Sequence, residues 1–174
     1  MTGFTIPPLT TDRLILRAPR QSDFEAYAAF RASPRARFVG GPYDRAQSYQ
    51  QLAALIGQWA LRGYGRWMVA DRTSDTPLGV VGIYHPEDWP EPEVAWSVFG
   101  TGEGRGIAHE AARAARTYAY DILGMSALIS MVDPANTRSV NLAKRLGATY
   151  ERDFQHPSYG TMYIWRHPSP GAPS

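Results

Sequence analysis

The 174-residue chain has no cysteine. That excludes disulfide frameworks, thiolate metal sites and cysteine nucleophiles. Lysine is almost missing: Lys144 is the single one, and the remaining basic residues are arginines spread over the whole length. No apolar run approaches the roughly 20 residues of a membrane-spanning helix. Met1 to Pro8 lacks the basic start and apolar stretch of a secretory signal, so a cytoplasmic location is the default expectation. An excess of charge of one sign is lacking as well. Lys and Arg total 18 and Asp and Glu 16, leaving +2, which does not suit a protein held to nucleic acid by electrostatics. The four histidines, His85, His109, His156 and His167, lack metal-ligand spacing. What is present suffices for one ordinary domain. Apolar residues make up 44% and charged residues 20%, a composition that builds a core and excludes general disorder.

Patterning predicts alternating strands and helices. Residues 13–17 read as a strand ended by Pro19, and Ser22 and Asp23 offer a helix start before Phe24, Tyr27, Ala28 and Phe30. Leu52, Leu55, Ile56 and Trp59 fall at helical spacing within 44–61, closed by Gly63 and Gly65. Three strand-like stretches, 67–71, 78–84 and 93–99, predict an antiparallel meander. A glycine-rich loop, Gly100 to Gly106, then opens a long helix over 107–123. Its apolar side carries Ile107, Ala108, Ala111, Ala112, Ala115 and Ala119. Gly124 stops it. A strand at 127–132, a helix at 137–146 ended by Gly147, and strands at 149–154 and 162–166 follow. Strand, helix and strand in the middle read as a βαβ unit. The expectation is a single α+β domain over 1–166 with a mixed, splayed central sheet flanked by helices, then a frayed Pro/Gly/Ser-rich tail from His167 to Ser174.

The chemistry concentrates at Gly100-Thr-Gly-Glu-Gly-Arg-Gly-Ile-Ala108. Four glycines at alternate positions leave backbone N–H groups unshielded, and the loop enters a helix N-terminus, where unpaired N–H groups favour an anion. A diphosphate needs that many donors around a concave turn. No Gly-Lys-Ser/Thr follows, so the loop is not a P-loop. The G-x-G-x-G-x-G spacing fits a dinucleotide fingerprint poorly.

From Glu93 to Ala148 the chain resembles the GCN5-related N-acetyltransferases, in particular the branch that includes the ribosomal-protein N-terminal alanine and serine acetyltransferases. The residues that carry the resemblance are Glu93-Val94-Ala95-Trp96-Ser97-Val98, then Gly104-Arg105-Gly106-Ile107-Ala108-His109-Glu110-Ala111, then Asn136-Thr137-Arg138-Ser139 with Leu142 and Arg145-Leu146-Gly147. The opening Thr11-Asp12-Arg13-Leu14-Ile15-Leu16-Arg17 is also similar to that branch. The resemblance implies acetyl-CoA as co-substrate, no metal, and acetyl transfer to a primary amine. It assigns acetyl-CoA to Ser97, Val98, Glu103, Gly104, Arg105, Gly106, Ile107, Ala108 and Asn136.

An amine attacks a thioester only when neutral, so a group must take its proton. Glu93 is the implied base or ammonium binder; its structural alternative is a surface strand residue beside Glu91. The Val98 N–H is the implied donor to the thioester oxygen. Many relatives carry a tyrosine general acid where this chain has Ala143, which leaves Ser139 as the hydroxyl for the departing thiolate. Asn136 also reads as a helix N-cap, and Glu110 as a helix-dipole partner. Glu103 stands where the family places Gln or Arg. A carboxylate would repel a diphosphate, so its side chain is expected to turn outward, with its N–H still donating and Arg105 compensating. A CoA-binding module without transferase activity and a protein-interaction domain are the alternative functions. The acceptor is open: peptide N-termini, amino sugars, polyamines and amino-acid metabolites all suit a splayed-sheet cleft. The two N-terminal helices and the loop from Tyr84 to Pro92 are its expected walls. A homodimer is compatible with the resemblance; membrane and nucleic-acid partners are not expected.

Overall fold

The computed structural model describes residues 4–172. Strands β1 (Leu9–Thr10) and β2 (Leu14–Arg17) lead into α1 (Phe24–Ala32) and α2 (Arg45–Arg62). Then come β3 (Arg66–Asp71), β4 (Pro77–Tyr84), β5 (Glu93–Val98) and α3 (Ile107–Asp121). The chain closes with β6 (Ile129–Val132), α4 (Thr137–Arg145), β7 (Thr149–His156) and β8 (Gly160–Arg166). Local chemistry sets several boundaries. The Asp44 carboxylate accepts the Gln47 N–H at 2.8 Å, and the Gln47 side chain accepts the Asp44 N–H at 3.0 Å. That reciprocal cap starts α2. Gly63, at φ 75°, ends it, because a left-handed residue is nearly free of strain only as glycine. The two-residue β1 and a 3-10 stretch over Pro34–Val39 carry no periodicity and were not expected.

All eight strands form one mixed sheet in the order β1-β2-β3-β4-β5-β6-β8-β7. The predicted meander is present: β3, β4 and β5 pair antiparallel. So is the βαβ unit, since β5 and β6 run parallel with α3 between them. Both faces of the central strands are covered, and alternation divides their side chains. Trp67, Val69, Val81 and Ile83 face the alanine stripe of α3, Ala111, Ala112, Ala115 and Ala119. Met68 and Val80 pack instead with Phe24, Tyr27, Ala28 and Leu55 of α1 and α2.

One departure from regular pairing positions the site. β5 and β6 share a single residue pair, Glu93 with Ile129. Beyond it β6 pairs only with β8, and the two parallel strands diverge. Phe99 donates to Leu78 on the β4 side. By antiparallel alternation, the polar backbone groups of Val94, Trp96 and Val98 therefore point into the gap. Backbone groups opened this way need other partners. At the fork two side chains supply them: the Met131 N–H donates to the Glu93 carboxylate at 2.7 Å, and the Ser130 hydroxyl donates to the Val94 carbonyl at 2.6 Å.

The expectation of a fraying tail from His167 fails at its first two residues. His167 is buried. Arg116 donates to its Nδ1 at 3.1 Å, which puts the proton of the neutral ring on Nε2, 2.9 Å from the Ser130 hydroxyl. The Pro168 carbonyl accepts from the Tyr120 hydroxyl at 2.7 Å. The end of the tail, residues 173–174, lies outside the described residues.

Candidate active site

Glu93 sits at the fork of the splayed strands, and this excludes its surface-residue alternative: it is buried, and its carboxyl faces the gap. Burial pushes its pKa up to about 7, against the Met131 N–H, the nearby Trp89 indole and the Arg66 charge. The Trp89 Nε1 is itself buried without a partner in hydrogen-bonding geometry, so Met131 is the contact that holds the carboxylate. A carboxyl half-ionised near neutrality can both take and release a proton at working pH. Neighbouring Glu91 has a different fate: it pairs with Arg166 at 2.6 Å, which holds its carboxyl below the ordinary range.

A cavity of about 190 Å³ opens at this fork. Glu93, Ser97, Asn136 and Ser139 all line it, together with Trp96 and Asp133. Asn136 caps α4: its side-chain oxygen accepts the Ser139 N–H at 3.3 Å. Ser139 makes no local backbone bond through its hydroxyl. The Trp96 indole donates to its oxygen at 3.1 Å. An indole N–H is a donor only, so it fills an acceptor position on the oxygen and leaves the O–H to donate elsewhere. Ala143 is fully buried against Val132, Ala148 and Trp165, and α4 offers no second hydroxyl at that position.

The glycine-rich loop follows β5 directly, and its residues lie outside the lining of this cavity. Gly102 donates to Phe99 and Glu103 to Gly100 at 3.3 Å, while Glu110 donates back to Gly106. Between them the N–H groups of Gly104, Arg105, Gly106, Ile107, Ala108 and His109 reach no carbonyl in hydrogen-bonding geometry among the described residues. Gly104 and Gly106 both take left-handed φ, 72° and 74°, and a Cβ at Gly104 would meet nothing within 4 Å. The loop is therefore a row of open donors on a bare backbone. It is braced from behind. Arg13 donates to the Arg105 carbonyl at 2.9 Å and pairs with Glu110 at 2.7 Å, and Glu110 also accepts from the Thr11 hydroxyl. Glu110 thus holds the loop in place.

Glu103 is exposed, in line with the outward orientation expected, but its carboxylate is not free. Its carboxylate bridges Arg35, from the 3-10 stretch, and Arg138, from α4. Arg35 also donates to the Val98 carbonyl at 3.1 Å. The Glu103 N–H is taken by Gly100, and Arg105 donates to Thr101 at 3.3 Å. Arg35 and Arg138, not Arg105, are the cations that balance this carboxylate.

The rest of the cavity wall comes largely from the elements expected to bound the acceptor, the N-terminal helices and the loop after Tyr84, although the sequence did not single out the residues, and Arg66 lies outside those elements. Tyr27 and Arg31 of α1, Arg66 of β3, Tyr84 of β4 and Trp89 of the following loop all face it. A signal existed for Arg31: it stands four residues after Tyr27 and seven after Phe24, on the apolar stripe, where a charge is out of pattern. Arg66, at a strand entrance, carried none.

The Acetyltransferase (GNAT) domain matches residues 13–149, and the chain belongs to that family. The crystal structure of an acetyltransferase from Agrobacterium tumefaciens str. C58 is 35% identical and superposes with a TM-score of 0.86, over 96% of this chain and 97% of that one. The uncharacterized N-acetyltransferase YoaA of Bacillus subtilis (strain 168) is 26% identical over 171 residues, 94% of this chain and 92% of that protein. The ribosomal L7/L12 alpha-N-protein acetyltransferase RimL, in complex with coenzyme A, superposes with a TM-score of 0.75 over 92% and 97% of the two chains. At 15% identity that likeness is one of fold.

Proposed function

We propose that this GNAT acetyltransferase moves an acetyl group from acetyl-CoA to a primary amine by direct attack. One observation carries the reading: the cleft opened by the splay of β5 from β6 has a near-neutral carboxyl at its fork, and β5 leads directly into a braced loop of unpaired N–H groups. The loop suits a diphosphate, because open donors, bare glycine backbone and the positive end of α3 coincide there. Gly104, Arg105, Gly106, Ile107 and Ala108 would hold that part of acetyl-CoA. Glu103 keeps Arg35 and Arg138 at the mouth of the loop. Asn136 and Ser97 line the path of the pantetheine arm. The bound thioester supplies the activated acetyl group.

The chain's own residues supply the rest. Glu93 takes the proton of the incoming ammonium, directly or through one water. The N–H of Val98 points into the gap and stabilises charge developing on the thioester oxygen. Ser139, with its oxygen held by Trp96, donates to the departing thiolate. The test is calorimetric titration with acetyl-CoA, followed by an amine panel read by free CoA release. Binding with amine-dependent release supports the reading. Binding without release from any amine favours a CoA-binding module, and no binding overturns it.

A further inference from the structure

The acceptor end of the cleft carries two cations that acetyl transfer leaves unused. Arg31 and Arg66 both line the cavity, and neither pairs with a carboxylate among the described residues. Arg31 is only 5% exposed. One of its terminal nitrogens donates to the Val39 carbonyl at 3.1 Å, while its Nε is buried without any partner. The guanidinium faces are occupied. Arg31 lies 4.4 Å from the Tyr43 ring centre and 5.9 Å from that of Tyr27, and Arg66 lies 4.0 Å from that of Tyr84. Stacking uses the face of a guanidinium and leaves its in-plane donors for another group.

The two cations serve one region. Both act on the phenols of Tyr27 and Tyr84, opposing the rise in pKa that burial causes. These phenols stay protonated near neutrality and add donors to the same wall. Two acidic side chains also line the cavity. Glu93 is the proposed base, and Asp133, beside α4, accepts the Ala135 N–H at 2.8 Å. A buried cation without a counter-charge is costly, so this wall is arranged for an anion that arrives with the substrate.

We infer that the acceptor is a small primary amine that also carries a carboxylate, of the α-amino-acid class, with the carboxylate on Arg31 and Arg66 and the amine toward Glu93. The inference rests on the acetyl-transfer reading above. A guanidinium fork matches a carboxylate, and the cavity of about 190 Å³ suits a small molecule. A polyamine or a polycationic amino sugar would set its further charges against Arg31 and Arg66.

The test uses the full chain with acetyl-CoA and reads free CoA. The panel contains α-amino acids, their matching α-carboxamides, and linear diamines. The acids are expected to show kcat/KM at least tenfold above their carboxamides, with diamines lowest. In Arg66→Gln the acid-over-carboxamide ratio is expected to collapse toward one, through KM for the acid; Arg66→Lys should restore part of it. Carboxamides or diamines turned over as well as the acids would overturn the inference. So would failure of every acid to react while another amine releases CoA, and in either case the acetyl-transfer reading stands; binding with no release from any amine would overturn both. Absence of acetyl-CoA binding would overturn that reading and this inference with it.

Discussion

Replacing Glu93 with glutamine tests burial and catalysis in one variant. The carboxyl has an ordinary pKa of 4.5 and is pushed up to about 7 in the fold, mainly by burial. Between these values the folded chain holds a proton that the unfolded chain has released, so stability falls as pH rises through the window. About 2.5 pH units at about 1.36 kcal/mol each give roughly 3 kcal/mol. That contribution is fully present below pH 4.5 and fully lost above about pH 7. Glutamine cannot ionise, and its carbonyl oxygen can still accept the Met131 N–H that the splay leaves open. Glu93→Gln should therefore match wild type in stability near pH 4.5, apart from a constant offset. It should gain about 3 kcal/mol on it by pH 8. Urea unfolding at several pH values measures this, and every other titrating group cancels in the difference. In parallel, turnover should drop by roughly 10²- to 10⁴-fold, the acidic limb of the rate profile near pH 7 should vanish, and acetyl-CoA affinity should persist. A stability difference that stays flat from pH 4.5 to 8 would refute the burial argument. Wild-type turnover in Glu93→Gln would refute the base assignment, whatever the stability data show.

Ser139→Ala should lower turnover less than Glu93→Gln does. Trp96→Phe, which removes the indole N–H from the Ser139 oxygen, should add little to Ser139→Ala in the double variant, because both act on one hydroxyl; additive losses in CoA release would separate them. Gly104→Asp should abolish acetyl-CoA binding in calorimetry while costing only about 1 kcal/mol of stability, since its left-handed backbone is mildly strained and its Cβ has room. Glu103→Gln should free Arg35 and Arg138 for phosphate and tighten acetyl-CoA binding by about tenfold; unchanged affinity would mean that the two arginines do not reach the ligand. Burial and the charges of Arg116 and Arg166 push His167 down to about 3. The His167 contribution should therefore be lost as pH falls from 6.5 toward 3, opposite in sign to that of Glu93 between 7 and 4.5, so it is read as the stability difference between wild type and His167→Gln, which should shrink over that range in denaturant titrations.

What the sequence alone determined is what local rules govern. The glycine loop declared its bare donors because glycine spacing and the following helix are read within nine residues. Asp44 and Gly63 bounded α2 because caps act within one turn. The meander and the βαβ unit followed from hydrophobic runs separated by turn residues. Ser139 and Asn136 were placed by motif spacing on one short helix. Tertiary structure decided everything that depends on where two distant segments diverge or meet. The fork beyond the Glu93–Ile129 pair holds a carboxylate beside prolines as a buried group near neutrality, because desolvation depends on what covers a residue rather than on its neighbours in sequence. Trp96 and Ser139 became a pair only when β5 and α4 came together. Glu103, exposed as expected, met Arg35 and Arg138 only through the fold, because those two arginines lie 68 and 35 positions away in the chain. Arg31 and Arg66 lie 35 positions apart in the chain, and the packing of α1 against the sheet brings them to one wall. Charge and burial at that wall are sums over contacts from several elements, and no single stretch of sequence contains those sums.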